Sequence, residues 1–350
     1  MNFNYKKLKK QNSTYIIAEA GVNHECSIPK AKKLISLAKK GGADAIKFQT
    51  YKADKIALRN SKAYWDTSKE KIKNQHELFS KYDKFNEKDY VVLSKFCSKL
   101  KIDFLSTPFD LDSVVFLKKL VPVFKISSSD ITNYPLLKKI AKTKKPVLLS
   151  TGASNILEIK NAIKILQKKT KKIVIMHCIL NYPTSNFDAN LGMINDIKKN
   201  FPNYVIGYSD HTLPDKYMNN LNVAFSLGAK VLEKHFTLNK RLKGNDHYHS
   251  MDFEDLKKLR ANINQTINLI GSGNQKKTAI KVENKSRKNA RRCIAAKMNL
   301  KKGSILKEQN LIALRPNQGI SVEKWDSVIG KRLKRHIKAL TAIKSSDLKN

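Results

Sequence analysis

Two histidines stand where apolar runs stop. His211 lies at the end of Val205-Ile-Gly-Tyr-Ser-Asp-His-Thr212, and His235 at the end of Val231-Leu-Glu-Lys-His-Phe-Thr237. Apolar runs of this length suit strands buried on both faces, whose last residues emerge into a site. Two neutral imidazoles brought to one point can hold a first-row divalent metal such as Mn or Zn, with positions left for water and substrate. Taken singly, each histidine is better read as a packed core residue. The same pattern of strand and polar exit, however, recurs along most of the chain. Its other exits are Glu19, Asn23, Lys47, Gln49, Thr107, Lys125, Ser128, Asp130, Ser150, Tyr182 and Ser209. Two lysines among several hydroxyls suit a phosphate and a carboxylate, because each anionic oxygen needs a donor and the charge needs a counterpart. Glu19 and Asp130 are candidates for proton transfer or for binding sugar hydroxyls.

These side chains meet only if the elements behind them bring the strand ends together. Strand-like runs fall at 15–20, 45–50, 104–108, 123–130, 147–152, 173–178, 205–212 and 231–237. A stretch with helical spacing follows nearly every one. The first is the clearest: Ser27 is its cap, Pro29 lies in its first turn, Ile28, Ala31, Leu34, Ile35 and Ala38 form its stripe, and Gly41-Gly42 ends it. Eight such units predict a (β/α)8 TIM barrel, an α/β fold whose site is built at the C-terminal ends of the strands. An open doubly wound sheet is the competing topology. It would bind a dinucleotide through a glycine-rich turn after its first strand, and Glu19-Ala-Gly-Val-Asn-His24 is not one. Residues 51–86 fit no short connection, and read as either a binding loop or a peripheral insertion.

The barrel is expected over 1–270. A polar segment rich in Lys and Asn, 271–285, reads as a linker. Residues 286–350 change period and predict a small β-rich domain of about sixty residues. Within it Leu300-Lys-Lys-Gly-Ser-Ile-Leu-Lys-Glu-Gln-Asn-Leu311 is echoed by Ile337-Lys-Ala-Leu-Thr-Ala-Ile-Lys-Ser-Ser-Asp-Leu348. Between the copies lies an exposed-looking loop, Leu314-Arg315-Pro316-Asn-Gln-Gly319-Ile320, with a single arginine.

Composition narrows the function classes. No run of eighteen apolar residues occurs, which predicts no membrane span. The basic N-terminus lacks the apolar core of a signal peptide, so a cytoplasmic protein is expected. Cys26, Cys97, Cys178 and Cys293 are scattered without a CxxC pair and read as free thiols. The formal charge of +40 is mostly lysine spread over the helices. A nucleic-acid protein would concentrate its charge in a patch with arginine and stacking aromatics, so solvated helix faces are the preferred reading and no nucleic-acid partner is expected. A basic polyanion-binding module is the alternative from another class.

The ordered set EAGVNHE, KFQT, STPFD, KISSSD, LSTGAS, SDHT and EKHFT, followed by LRPNQGIS, resembles the sialic acid synthase family over almost the whole chain. That resemblance implies condensation of phosphoenolpyruvate with an N-acyl hexosamine, and a tail domain similar to type III antifreeze protein. It implies that Lys47, Thr107, Lys125, Ser128, Ser150 and Ser209 hold phosphoenolpyruvate, and that His211 and His235 bind a divalent metal, Mn2+ first, with Mg2+ or Co2+ as alternatives. Glu19, Gln49, Asp130, Tyr182 and Asp246 would contact the sugar or a water on the metal. Arg315 would reach the N-acyl group in a partner's barrel, because these enzymes are domain-swapped homodimers. An aldose-phosphate synthase of the 3-deoxy-octulosonate 8-phosphate type shares the chemistry, but the tail domain argues against it. Three departures bear on the sugar. Asp130 stands where N-acetylneuraminate synthases commonly have Glu, Leu180 stands where they often keep Asn, and His247-Tyr-His249 follows Asp246. His247 and His249 could bind metal at alternate spacing, and are read first as loop histidines beside the sugar.

Overall fold

The computed structural model describes residues 3–349 except 11, 245 and 272–275. They form two compact units, Met1–Gly273 and Asn274–Asn350. Among the described residues, no helix is long and apolar enough to cross a membrane.

The first unit contains eight strands: β1 (Tyr15–Gly21), β2 (Ala45–Thr50), β3 (Asp103–Pro108), β4 (Phe124–Ile126), β5 (Val147–Ser150), β6 (Ile173–Cys178), β7 (Val205–Asp210) and β8 (Val231–His235). They run in the order β3-β2-β1-β8-β7-β6-β5-β4, and every pairing is parallel. β1 pairs with β8, and β3 and β4, the two ends of the ladder, lie side by side. The ring nearly closes, as the (β/α)8 reading expects and an open doubly wound sheet would not.

Strand side chains alternate, so each strand presents one set inward and one outward. The outward set, with Ile16, Ala18, Ile46, Phe48, Phe124, Ile126 and Leu149, packs on the surrounding helices. The inward set begins with an apolar layer: Tyr15, Ile17, Ala45, Leu105, Val123, Leu148, Val174, Met176, Val205 and Val231. Below it the helix α1 (Tyr5–Leu8) plugs the barrel with Tyr5 and Leu8. Fully burying each aliphatic side chain of this layer contributes about 1.5–3 kcal/mol. Gly207 faces the same space. A Cβ there would lie 2.9 Å from both Met176 Cγ and the Val231 carbonyl oxygen, so a side chain would displace the neighbouring strands.

The helices start where short polar side chains supply acceptors to free N–H groups. Ser27 caps Ile28–Lys40, Asn86 and Asp89 form a capping box on Glu87–Leu100, and Asp252 and Asp255 do the same for Phe253–Ile270. One element departs from expectation. β4 ends at Ile126, and Ser128–Asp130 form a 3-10 turn instead of continuing the strand. The Gly152 N–H donates to Ser128 Oγ at 2.9 Å and holds that turn against the end of β5.

The second unit contains β9 (Cys293–Ala296) paired antiparallel with β10 (Leu311–Leu314). Its core includes Ile294, Leu300, Leu306, Leu311, Ile337, Ile343 and Leu348. The sequence echo is a structural one. Leu300 and Ile337 exchange backbone hydrogen bonds, and the turns Glu308–Asn310 and Ser345–Asp347 end equivalent segments. Asn310 accepts from Lys307 N, as Asp347 does from Lys344 N. Residues 284–290 within this unit are helical (Asn284–Ala290), continuing from a short turn at Lys281–Glu283 that falls in the segment read as linker. Arg315 is exposed just after β10.

Candidate active site

Two residues further along the inward faces, the apolar layer gives way to an ionic one. Glu19 follows Ile17, Lys47 follows Ala45, Thr107 follows Leu105, Lys125 follows Val123 and Ser150 follows Leu148, while β8 adds Glu233 and then His235. With Ser128, Cys178, Tyr182, Ser209 and His211 they line a cavity of about 350 Å³ counted out to its mouth.

The two lysines are held by carboxylates. Lys47 Nζ lies 2.7 Å from Glu19 Oε1 and 3.9 Å from Glu233 Oε1, and donates to Thr107 Oγ1 at 3.2 Å. Lys125 Nζ donates to Glu233 Oε1 at 3.0 Å, and Ser209 Oγ donates to the same oxygen at 2.9 Å. Burial disfavours each charge, but the pairs outweigh it. Burial works against the Lys47 ammonium, yet Glu19 and Glu233 raise its pKa above the usual lysine range. Burial likewise opposes the Glu233 carboxylate, and Lys125 and Lys47 nevertheless bring it down to about 2. Glu19 Oε2, Glu233 Oε2 and Ser150 Oγ are buried without a hydrogen-bond partner, which leaves acceptor and donor capacity facing a ligand.

Beyond this layer the cavity opens into a second pocket through Gln49, Tyr182 and His235, which line both. Its wall is aromatic: Tyr51, Tyr64, Trp65, Phe79 and Tyr82 all come from the long segment after β2, which also forms the helix Gln75–Tyr82. That segment therefore walls a pocket at the barrel mouth. Its polar side carries Asn23, Asp246 and His247. Gln49 Nε2 donates to Glu19 Oε1 at 3.2 Å, which ties the two pockets together. Asp246 is pushed up to about 7, by burial and then by the Glu19 carboxylate, against the pull of His211 and Lys47.

The two strand-end histidines are neighbours, with ring centroids 5.6 Å apart, and Tyr182 packs on His211 at 4.2 Å. His211 Nδ1 donates to the Ile179 carbonyl at 2.8 Å, which leaves Nε2 as the nitrogen turned to a ligand; burial opposes a charge on this ring, but Cys178 beside it raises its pKa above the usual imidazole range. His235 is held neutral, well below the usual imidazole range, by burial and by His249 and His211 beside it, and its Nδ1 has no hydrogen-bond partner. A neutral His235 with an unmet nitrogen and a His211 whose Nδ1 is committed to a carbonyl are the donor chemistry of a borderline divalent cation, and the residues present fit one.

One predicted residue of the barrel lies outside both pockets. Asp130 is not among the side chains lining either pocket; Asn133 Nδ2 donates to its Oδ1 at 2.9 Å, while its Oδ2 is buried without a hydrogen-bond partner. Arg315 belongs to the second unit. His24, just beyond β1, is packed: it stacks on Phe85 at 4.5 Å and is driven down to about 4, chiefly by burial. The residue that sequence reasoning missed is Glu233. Its signal was available, because Glu233 stands two before His235 and must share its face.

Residues 34–275 match the NeuB family and residues 291–349 match the SAF domain, and the chain belongs to the NeuB family. The N,N'-diacetyllegionaminic acid synthase of Campylobacter jejuni is 40% identical over 326 residues, 91% of this chain and 95% of that protein. A pseudaminic acid synthase of the same species is 31% identical over 364 residues, 99% of each chain. Among solved structures, the N-acetylneuraminic acid synthetase of Leptospira borgpetersenii in complex with citrate is similar, with a TM-score of 0.69 and 31% identity, covering 79% of this chain and 90% of that one.

Proposed function

We propose that this chain condenses phosphoenolpyruvate with an N-acyl hexosamine and water, releasing phosphate and a nine-carbon sugar acid of the sialic acid type. The observation that carries the reading is the ionic layer at the strand ends, where two buried lysines and several hydroxyls converge beside an aromatic pocket sized for a sugar. Relatives named as synthases of legionaminic and pseudaminic acids support the class of product.

In this reading Lys47, Lys125, Thr107, Ser128, Ser150 and Ser209 bind the phosphate and carboxylate oxygens, and the lysines exchange contacts with Glu19 and Glu233 for contacts with substrate. The enol carbon attacks the sugar aldehyde, water adds to the cation left at the neighbouring carbon, and phosphate leaves with the electrons of the C–O bond. Glu19 would take one proton of the adding water and return it to the aldehyde oxygen, which finishes as a hydroxyl, while the other proton leaves with the phosphate as the keto group forms. Gln49, Tyr182 and Asp246 orient the sugar. His211 and His235 would hold a divalent cation, Mn2+ first, which when bound polarises the aldehyde carbonyl.

The sugar is read as a diacetamido-dideoxyhexose rather than N-acetylmannosamine. An aromatic wall suits acetamido and deoxy methyl groups. Phosphate release from phosphoenolpyruvate, measured across a panel of N-acyl hexosamines and aldose phosphates, tests both levels. Highest kcat/KM on a diacetamido sugar supports the reading. Highest kcat/KM on N-acetylmannosamine contradicts the choice of sugar, preference for an aldose phosphate contradicts the class, and no release with any member overturns the activity.

The active unit is read as a domain-swapped homodimer in which Arg315 serves the partner's barrel, since its fork geometry suits an amide carbonyl or a pair of hydroxyls. Mixing inactive Arg315→Ala and His235→Ala proteins should then restore about a quarter of the sites if exchange is random. No recovery despite demonstrated exchange would contradict it.

A further inference from the structure

The segment after β8 carries two histidines that the reading above does not use, and the fold separates them. His247 lines the second pocket, and both of its ring nitrogens are engaged: its Nδ1 bonds with Thr237 Oγ1 at 2.7 Å, and its Nε2 lies 3.5 Å from Glu25 Oε1. His249 goes the other way. It is fully buried, with its ring edge-on to that of His235 at 4.9 Å and 5.8 Å from that of Tyr182.

The backbone around His249 is pinned beside β8. Met251 N donates to the His235 carbonyl at 2.8 Å, and Thr237 N to the Met251 carbonyl at 3.0 Å. Asn23 Nδ2 bridges the Phe236 carbonyl and Ser250 Oγ, and Ser250 Oγ donates back to the Asp246 carbonyl. This fixed frame brings one ligand atom from each of His235, Asp246 and His249 within 4.8 Å of the others. A second observation points into the same space. His235 is 94% buried, its Nδ1 lacks a hydrogen-bond partner, and Asp246 Oδ2 stands 3.6 Å from it.

We propose that His249, with His235 and Asp246, is a protein ligand for a first-row divalent cation, so that this chain holds its metal more firmly than two strand-end histidines would. This rests on the reading that the barrel mouth binds such a cation. With His211 of the strand-end pair, three imidazoles and a carboxylate still leave a six-coordinate ion positions for water and for a substrate oxygen, and their mixed nitrogen and oxygen character suits Mn or Co. A histidine that only filled space would serve as well if replaced by another aromatic ring of similar size, and that difference separates the two roles.

The test uses the full chain loaded with Mn2+ or Co2+, comparing wild type with His249→Phe, His249→Gln, His247→Ala and His235→Ala. Mn2+ affinity is read by competition with a chelating indicator, and the ligand field by the visible spectrum of the Co2+ form. Loss of His249 by either substitution should weaken Mn2+ at least 10–100-fold, the range seen even for groups that only orient ligands. It should also shift the Co2+ bands, while His247→Ala leaves both unchanged; the Gln variant covers a Phe ring that fails to pack. Wild-type affinity and spectrum in the folded His249 variants, with loss in His235→Ala, overturn the assignment and leave the metal reading standing. Absence of Mn2+ and Co2+ binding in the wild type overturns both.

Discussion

The lower and upper halves of the barrel lumen are built by the same strands, two residues apart, and do opposite things. Below lie Ile17, Ala45, Val123, Leu148 and Val231; directly above them lie Glu19, Lys47, Lys125, Ser150 and Glu233. The lower layer asks only for volume, since apolar side chains there are satisfied by contact. The upper layer places two ammonium groups and two carboxylates out of water, where each depends on its partner and where three polar atoms stay without hydrogen bonds. Such a layer is a poor way to gain stability. A ligand that carries phosphate and carboxylate would supply the partners the layer lacks.

If the halves differ in this way, substitutions should separate stability from substrate binding. The largest effect is expected for Lys125→Met. Removing the ammonium leaves Glu233 under-compensated, at a cost of about 3 kcal/mol in stability. Loss of the charge should also weaken phosphoenolpyruvate by about 2–5 kcal/mol, seen in its KM. Combining it with Glu233→Gln should recover stability in a thermal melt but not the KM. In the lower layer, Leu148→Ala should cost about 2–5 kcal/mol of stability and leave the KM for phosphoenolpyruvate near wild type. A raised KM there, with normal folding, would break the comparison.

Next in size is the acid limb of stability. Glu233 has a folded pKa of about 2, below its ordinary value of 4.5. A depressed carboxylate contributes stability that is complete above its unfolded pKa and is lost as pH falls through the folded one. Denaturant melts of the metal-free protein should therefore lose stability from about pH 4.5 down to about pH 2, by about 3 kcal/mol from this group. Glu233→Gln should flatten that limb, and an unchanged slope would show that the pairs are not formed in solution. Ser150→Ala should move the balance the other way. It removes a hydroxyl without a hydrogen-bond partner, so Tm should hold or rise, while the KM for phosphoenolpyruvate rises by about 1 kcal/mol. The smallest change is expected from Asp130→Glu, which adds one methylene beside Asn133. It should leave both the ranking of N-acyl sugars by kcat/KM and the KM for phosphoenolpyruvate near wild type, since Asp130 lines neither pocket; a few-fold change in that ranking would return Asp130 to sugar selection.

Much of this contrast was legible in the chain. Alternation along Ala45-Ile-Lys47-Phe-Gln49 put Lys47 and Gln49 on one face, and eight repeats of strand and helix implied convergence at one mouth. Glu233 is masked in the sequence by the more conspicuous His235 two residues on, although parity requires both to point inward. The run from Val123 to Asp130 has no breaker, so the sequence alone extends the strand to Asp130; the turn at Ser128–Asp130 is set by a tertiary hydrogen bond from Gly152, which no local pattern announces. The aromatic wall came from a segment with no strong period, since its residues are positioned by packing on each other, as Tyr64 is on Trp65 at 5.3 Å. His249 was visible as a residue but not as a neighbour of His235, because the loop's return depends on the Met251 pairing with the end of β8.

The most direct measurement is a calorimetric titration of phosphoenolpyruvate into the intact protein and into its Lys125→Met and Leu148→Ala variants. The account predicts saturable binding to wild type, near-wild-type affinity in folded Leu148→Ala, and at least a thirtyfold loss in Lys125→Met, the lower end of about 2–5 kcal/mol. Equal affinity in wild type and Lys125→Met would contradict the claim that the upper layer is the receptor for this substrate.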